Sequence, residues 1–273
     1  MKKAAILVVA ALLASAPGWA TSFDGLGKNI TVFDGQGSPG EDNEVEPGCA
    51  PGQQWDLEGF FLTKDNVLQL VGGYSFAGGF KYEGKQIKPG DLFIDIDGLF
   101  GSTSYGSNMG YEYAVSWVFG QTKSTPADSV VYKLTTRTKL SPVSYKTPES
   151  DPWKIKPGEF SNLSIVHSGM DSVSYTTGVN ELAGLNSFWE TQGTHNIVEF
   201  DLNWLWDELG TGWSGLFNVR YTYENGFDVV VGQSALVRPG STPDPDPVVP
   251  EPATLTLVGL GITAAAASRL RKS

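Results

Sequence analysis

Cysteine is almost missing from this chain: Cys49 is the only one in 273 residues. That excludes a disulfide-stapled fold and any cysteine-cluster zinc site. Histidine is nearly as scarce, with His167 and His195 alone. Basic charge is short too, since 19 Lys and Arg stand against 30 Asp and Glu, a net charge of −11. That balance argues against nucleic acid as the main partner, because neutralising phosphates needs a basic face. Apolar material is not short: 40% of residues are hydrophobic and 12% aromatic, which excludes a disordered or collagen-like chain. One globular domain of ordinary size, with or without appendages, remains.

The first twenty residues read as an export signal. Lys2 and Lys3 form a positive start, Ala4 to Ala14 is an unbroken apolar stretch, and Pro17-Gly18 breaks the helix. Cleavage between Ala20 and Thr21 puts small residues, Gly18 and Ala20, at the −3 and −1 positions that signal peptidase reads. The apolar stretch is short for a membrane anchor, which is the alternative.

At the other end, Ala253 to Ser268 is uncharged and is followed by Arg269, Arg271 and Lys272. Sixteen helical residues span roughly 24 Å, short of a hydrocarbon core of about 30 Å. Leu270 and the snorkelling basic side chains extend that length. The basic cluster should stay cytoplasmic, placing the main domain across the inner membrane. An apolar helix packed on the domain is the alternative, but the stretch has no polar face to turn toward water.

Val249-Pro250-Glu251-Pro252, then an apolar helix, then an Arg-rich terminus, closely resembles the PEP-CTERM sorting tail of bacterial proteins handled by exosortase. The same tail type is described on some ice-binding proteins. The body itself has no Thr-x-Thr ladder of the kind a flat ice-binding array uses. The resemblance implies export, transient anchoring in the inner membrane, and processing near Pro-Glu-Pro by the membrane-embedded exosortase. Release to, or attachment at, the cell surface or exopolysaccharide layer would follow.

Losing both ends removes five basic residues (Lys2, Lys3, Arg269, Arg271, Lys272) and one acid (Glu251). That leaves 14 basic against 29 acidic residues and a net charge of −15. Such a surface repels anionic polymers unless divalent cations bridge the two.

Residues 21–237 read as an all-β, antiparallel β sandwich of jelly-roll-like type with one short helix. Residues 238–252 (RPGSTPDPDPVVPEP) form an extended linker ahead of a membrane helix and basic terminus at 253–273. Strands are expected at 67–71, 79–82, 91–97, 111–119, 129–136, 161–166, 172–176, 213–223 and 226–231. Many are rich in β-branched and aromatic residues and bounded by Gly, Pro, Asn or Asp. In Gly90 to Gly98 the alternation puts Leu92, Ile94 and Ile96 on one face and Asp91, Phe93, Asp95 and Asp97 on the other. Glu83-Gly84 and Asn225-Gly226 are expected hairpin turns. Asp201 is expected to N-cap a helix over 202–209, with Gly210 as its stop.

The body also resembles uncharacterised extracellular domains carried by other PEP-CTERM proteins. The resemblance rests on Trp55-Asp56-Leu57-Glu58-Gly59, on Gly90 to Asp95, on His195 through Leu202, and on Tyr223 to Asp228. Asn225 stands where many of those domains have a cysteine, so Cys49 lacks the partner the resemblance implies.

Several groups are candidates for chemistry. Cys49 as a nucleophile would use His167 or His195 as base. Its acidic surroundings raise a thiol pKa, however, leaving an unpaired thiol or an intermolecular disulfide as the plainer readings. Glu199-Phe200-Asp201-Leu202-Asn203 parallels the alternating Glu-x-Asp-x-Glu strand of laminarinase-type glycosidases. Asn203 cannot supply the proton that the third position needs. Asp91, Asp95 and Asp97 form an acidic row that could hold calcium through hard oxygen ligands, against the alternative of a solvated strand face. Glu41, Asp42, Glu44 and Glu46 form a second acidic group. Trp153, Trp189, Trp204, Trp206 and Trp213 are either stacking platforms for sugars or core; Trp204 and Trp206 cannot both face inward on one helix. The expected function is an exported, non-enzymatic structural or adhesive protein associated with extracellular polysaccharide. A secreted polysaccharide hydrolase and a calcium-dependent binding module are the alternatives.

Overall fold

The computed structural model describes residues 21–23, 25–34, 55–98, 108–119, 126–143, 151–168, 173–182, 195–226 and 228–241. The expected signal peptide at 1–20, Cys49, Trp189, Val249 to Pro252, the apolar tail and Arg269, Arg271 and Lys272 lie outside the described residues. The chain divides into two compact units, Met1–Leu236 and Val237–Ser273. In the second, Ser241 donates from its amide and its hydroxyl to the Arg238 carbonyl, at 3.1 and 2.6 Å.

The first unit is built of strands. In chain order they open with β1 (Thr21–Phe23), β2 (Lys28–Asn29), β3 (Thr31–Asp34), β4 (Gly59–Leu62), β5 (Val67–Gly72) and β6 (Phe80–Tyr82). Next come β7 (Lys85–Ile87), β8 (Leu92–Asp95), β9 (Tyr113–Phe119), β10 (Pro126–Lys133), β11 (Leu140–Ser141) and β12 (Lys154–Ile155). The last are β13 (Ser164–Ser168), β14 (Val173–Leu182), β15 (His195–Asp201), β16 (Leu216–Thr222) and β17 (Val229–Ala235). Helix α1 (Trp204–Leu209) interrupts them between β15 and β16.

One sheet has six strands in the order β1-β14-β15-β5-β4-β2, the other seven in the order β13-β10-β9-β8-β16-β17-β3. Pairing is antiparallel except where β1 runs parallel to β14. The sheets bury a common core. Leu68, Leu70, Val198 and Phe200 of the first belong with Ile94, Val115, Trp117, Val219 and Tyr221 of the second. The rings of Trp117 and Phe200 meet across them at 5.2 Å. Each fully buried Leu or Phe contributes roughly 1.5–3 kcal/mol by leaving water.

Period-two alternation explains which side chains face that core, but not what covers the opposite faces. Phe93, expected on a polar face, packs with Tyr111, Ala114, Leu134 and Ile155 in a second apolar cluster. Ile197 does the same with Phe61, Val71 and Val179 on the six-stranded sheet. The solvated-face reading of Asp91 to Asp97 is therefore corrected: Asp91, Phe93 and Asp95 are fully buried, and only Asp97 is exposed.

The turns divide as their geometry dictates. Glu83 (φ 45°) and Gly84 (φ 78°) both adopt the left-handed backbone of a tight hairpin between β6 and β7. Asn225-Gly226 instead sits inside the longer loop that Thr222 and Val229 close, with Gly226 donating to the Tyr223 carbonyl at 2.9 Å. The helix starts later than expected, because Asp201 is still paired in β15 opposite Val67. Its carboxylate Oδ1 accepts the Asn203 amide at 2.8 Å, so Asn203 occupies the cap position. Trp204 is buried against Tyr113, with ring centroids 5.2 Å apart, while Trp206 is half-buried.

Candidate functional site

A cluster of acidic side chains lies where β8 ends. Asp95, fully buried, closes the strand by accepting the amides of Asp97 and Gly98 on Oδ1, at 3.0 and 2.9 Å. This is the local turn that Asp favours, and Gly98 supplies the positive φ (82°) the backbone then needs. The second oxygen, Oδ2, accepts Asn218 Nδ2 from the facing position of β16 at 2.7 Å. One carboxylate thus orders both the 96–98 turn and a buried carboxamide on the neighbouring strand.

Glu112, just before β9, completes the group. Its Oε2 accepts the Ile96 amide at 2.9 Å. One oxygen each from Asp95, Asp97 and Glu112 lies within 4.8 Å of the others, so these three residues could hold a cation. Burial pushes the Glu112 carboxyl up to about 7, helped by the negative charges of Asp97 and Asp95 and opposed by the Ile96 amide. Three carboxylates fall short of the six to eight oxygens calcium takes, so water or carbonyls would have to supply the rest.

Of the acidic row read from the sequence, the structure joins Asp95 and Asp97 and sets Asp91 apart. Asp91 sits at the other end of β8, where its Oδ2 accepts the Ile155 amide at 2.9 Å and Oδ1 lies 3.7 Å from Lys154 Nζ. Burial raises its pKa despite Lys154 and the Ile155 amide. Its work is to pin the β11–β12 ribbon over Phe93. Glu112 was missed by the sequence reading; a carboxylate between Tyr111 and Tyr113 at the mouth of a strand was the available signal.

A cleft of about 230 Å³ opens beside this group, lined by Ile96, Asp97, Ser214, Leu216, Asn218 and Gln233 among others. A second, of about 280 Å³, lies among Thr135, Arg137, Thr138, Glu159, Asn162 and Leu163.

The remaining candidates are taken up in structure. Glu199 and Asp201 do alternate along β15, but Glu199 accepts Gln69 Nε2 (2.9 Å) and the Ser174 hydroxyl (2.7 Å). Asn203 accepts from Asn66 Nδ2 (2.8 Å) and donates to the Asp65 carbonyl (3.1 Å). His195 is fully buried, with Nε2 3.0 Å from Glu58 and Nδ1 3.3 Å from the Val179 carbonyl. His167 stacks on Trp204. Trp153 lies beneath Lys154 Nζ, and Trp206 and Trp213 pack on each other at 4.9 Å.

Residues of the segments 55–59, 195–202 and 223–228 also make buried polar contacts. Tyr223 donates its hydroxyl to the Trp55 carbonyl (2.8 Å), Asp228 accepts the Leu57 amide (2.6 Å), and Glu58 meets His195. Gly90 donates to the Tyr221 hydroxyl at 3.3 Å. Asn225 is buried, and neither polar atom of its carboxamide has a hydrogen-bond partner among the described residues.

Among the described residues, fold and site define a protein of mostly antiparallel sheets with one α-helix and a small cleft at the end of a strand. Residues 248–272 match the family model described as the PEP-CTERM protein-sorting motif. The chain therefore carries a PEP-CTERM sorting tail, which implies processing by exosortase, export, and sorting to the cell surface. No curated protein and no solved structure is a match for the chain.

Proposed function

We propose that the chain is a surface or extracellular-matrix protein with a non-enzymatic, structural or adhesive role. Its body acts as a jelly-roll-like β sandwich associated with extracellular carbohydrate. Signal peptidase removes residues 1–20, and the apolar tail holds the protein briefly in the inner membrane. Exosortase then cuts near Pro250-Glu251-Pro252 and hands the body to the cell surface or matrix. The observation that carries this reading is the sorting motif at 248–272, set behind a proline-rich spacer. The hydrogen bonding of Glu199 and Asn203 and the burial of His195 support a body without hydrolytic chemistry. Fractionation tests it: the intact chain should reach the surface and matrix fractions, and a chain lacking 248–273 should not reach the surface. Equal surface delivery of both would overturn the reading.

A calcium-dependent module is the second reading, favoured by the convergence of Asp95, Asp97 and Glu112. It predicts a calcium-dependent rise in melting temperature that Glu112→Gln abolishes; titration of the full chain with calcium chloride giving neither heat nor shift would remove it.

A further inference from the structure

We propose that the cleft at the end of β8 binds one unit of a neutral sugar chain by direct contact, without a metal. The proposal rests on the reading of the body as an extracellular, carbohydrate-associated module and names its site.

The lining carries the two kinds of surface a pyranose presents. Ile96 and Leu216 offer apolar contact to the C–H face of a ring, and Leu216 is 58% exposed, unusual for a leucine with a core available. Ser214, Gln233, Asn218 and Asp97 offer hydroxyl, carboxamide and carboxylate groups that suit neighbouring hydroxyls. At about 230 Å³ the cleft is smaller than the roughly 300–1,000 Å³ of sites that enclose drug-sized ligands, which favours a single ring over a cofactor.

Charge selects within the sugars. The described lining contains one charged residue, Asp97, and no cation to receive a phosphate, sulfate or uronate. With the mature region at −15, an anionic polymer is repelled both locally and at long range.

The walls are also held before any ligand arrives. Asp95 fixes the 97–98 turn through two amides and Asn218 through its Nδ2, so both sides of the cleft hang on one fully buried carboxylate. The row continues across the sheet, Asp95 facing Asn218 and Asn218 facing Gln233 in the register of β8, β16 and β17. Rigid walls reduce the ordering cost that binding would otherwise carry. Between Ser214 and Leu216, Gly215 (φ 83°) lets the Trp206 ring approach so closely that a Cβ there would stand 3.3 Å from it. Trp206 therefore stands directly behind this wall.

The test uses the full chain in a zwitterionic detergent without a sugar headgroup and with EDTA present. It is titrated with cellotetraose, laminaritetraose, mannotetraose and trigalacturonate, followed by calorimetry and tryptophan fluorescence. At least one neutral tetrasaccharide should bind saturably, trigalacturonate should not, and Gln233→Ala and Leu216→Ala should each weaken binding at least tenfold. Both substitutions are at exposed positions, and Arg137→Ala in the other cleft should leave binding unchanged. No binding of any neutral probe in EDTA, binding that survives both substitutions, or binding seen only when calcium chloride replaces EDTA would overturn the proposal. A chain that fractionates to the surface yet binds none of the neutral probes fails this proposal alone.

Discussion

Replacing Glu112 by Gln should stabilise the protein at alkaline pH and do little at acid pH. Burial beside Asp97 and Asp95 raises the Glu112 carboxyl from 4.5 to about 7, so the folded chain holds a proton that the unfolded chain releases. The stability this group contributes is full below about pH 4.5 and is lost as pH rises through about 7. A shift of that size corresponds to about 3.4 kcal/mol at 1.36 kcal/mol per unit. Glu112 is only half-buried, and solvent screening reduces this to roughly 1–2 kcal/mol. Glutamine keeps a carbonyl oxygen for the Ile96 amide and carries no charge to repel its neighbours. Urea unfolding of both proteins at pH 4.5, 6 and 8, in EDTA and read by tryptophan fluorescence, measures the difference. The variant's midpoint should exceed the wild type's by roughly 0.5–1 M at pH 8 for a slope near 2 kcal/mol/M, and the gap should close by pH 4.5. A gap equal at all three pH values, or a variant less stable at pH 8, would refute the electrostatic reasoning.

Other expectations follow from the buried framework. Asp228 accepts the Leu57 and Val229 amides at 2.6 and 2.7 Å with no exposure, so Asp228→Ala should cost roughly 2–4 kcal/mol, seen as a lower urea midpoint. A Cβ on Gly90 would lie 2.1 Å from the Thr222 carbonyl and 2.5 Å from that of Trp153. Gly90→Ala should therefore lose about 3 kcal/mol or more, a fall in melting temperature of roughly 6–12 °C by calorimetry. Asn225→Cys replaces a buried carboxamide, whose polar atoms lack partners among the described residues, with a small apolar side chain. It should gain roughly 1 kcal/mol in reducing buffer, and a loss of stability there would contradict the geometry.

Much of the sheet architecture was legible because β-branched and aromatic runs such as Tyr113–Phe119 and Leu216–Thr222 carry their own signal. The strand His195–Asp201 was not, because His195 to Val198 are buried on both faces and the strand mixes His, Asn and Glu with Ile, Val and Phe. Short pairings such as Lys28–Asn29 and Leu140–Ser141 exist only through their partners, and no local pattern announces them. The same limit governed the acidic group. Asp95 and Asp97 are near in sequence and were readable, whereas Glu112 joins them only because β8 and β9 pair and bring its backbone to Ile94. Asp91 looked like their equal by alternation, yet four residues along a strand carry it to the far end of the sheet and to Lys154. The cleft was invisible in advance, since Ser214, Asn218 and Gln233 lie more than a hundred residues from Asp97 and meet it only in the register of three strands.

The sorting claim is tested most directly by mass spectrometry of the mature C-terminus in cells with and without exosortase. The mature chain should end near Pro250-Glu251-Pro252 when exosortase is present and keep its tail through Ser273 when it is absent. A tail intact in both would contradict that claim.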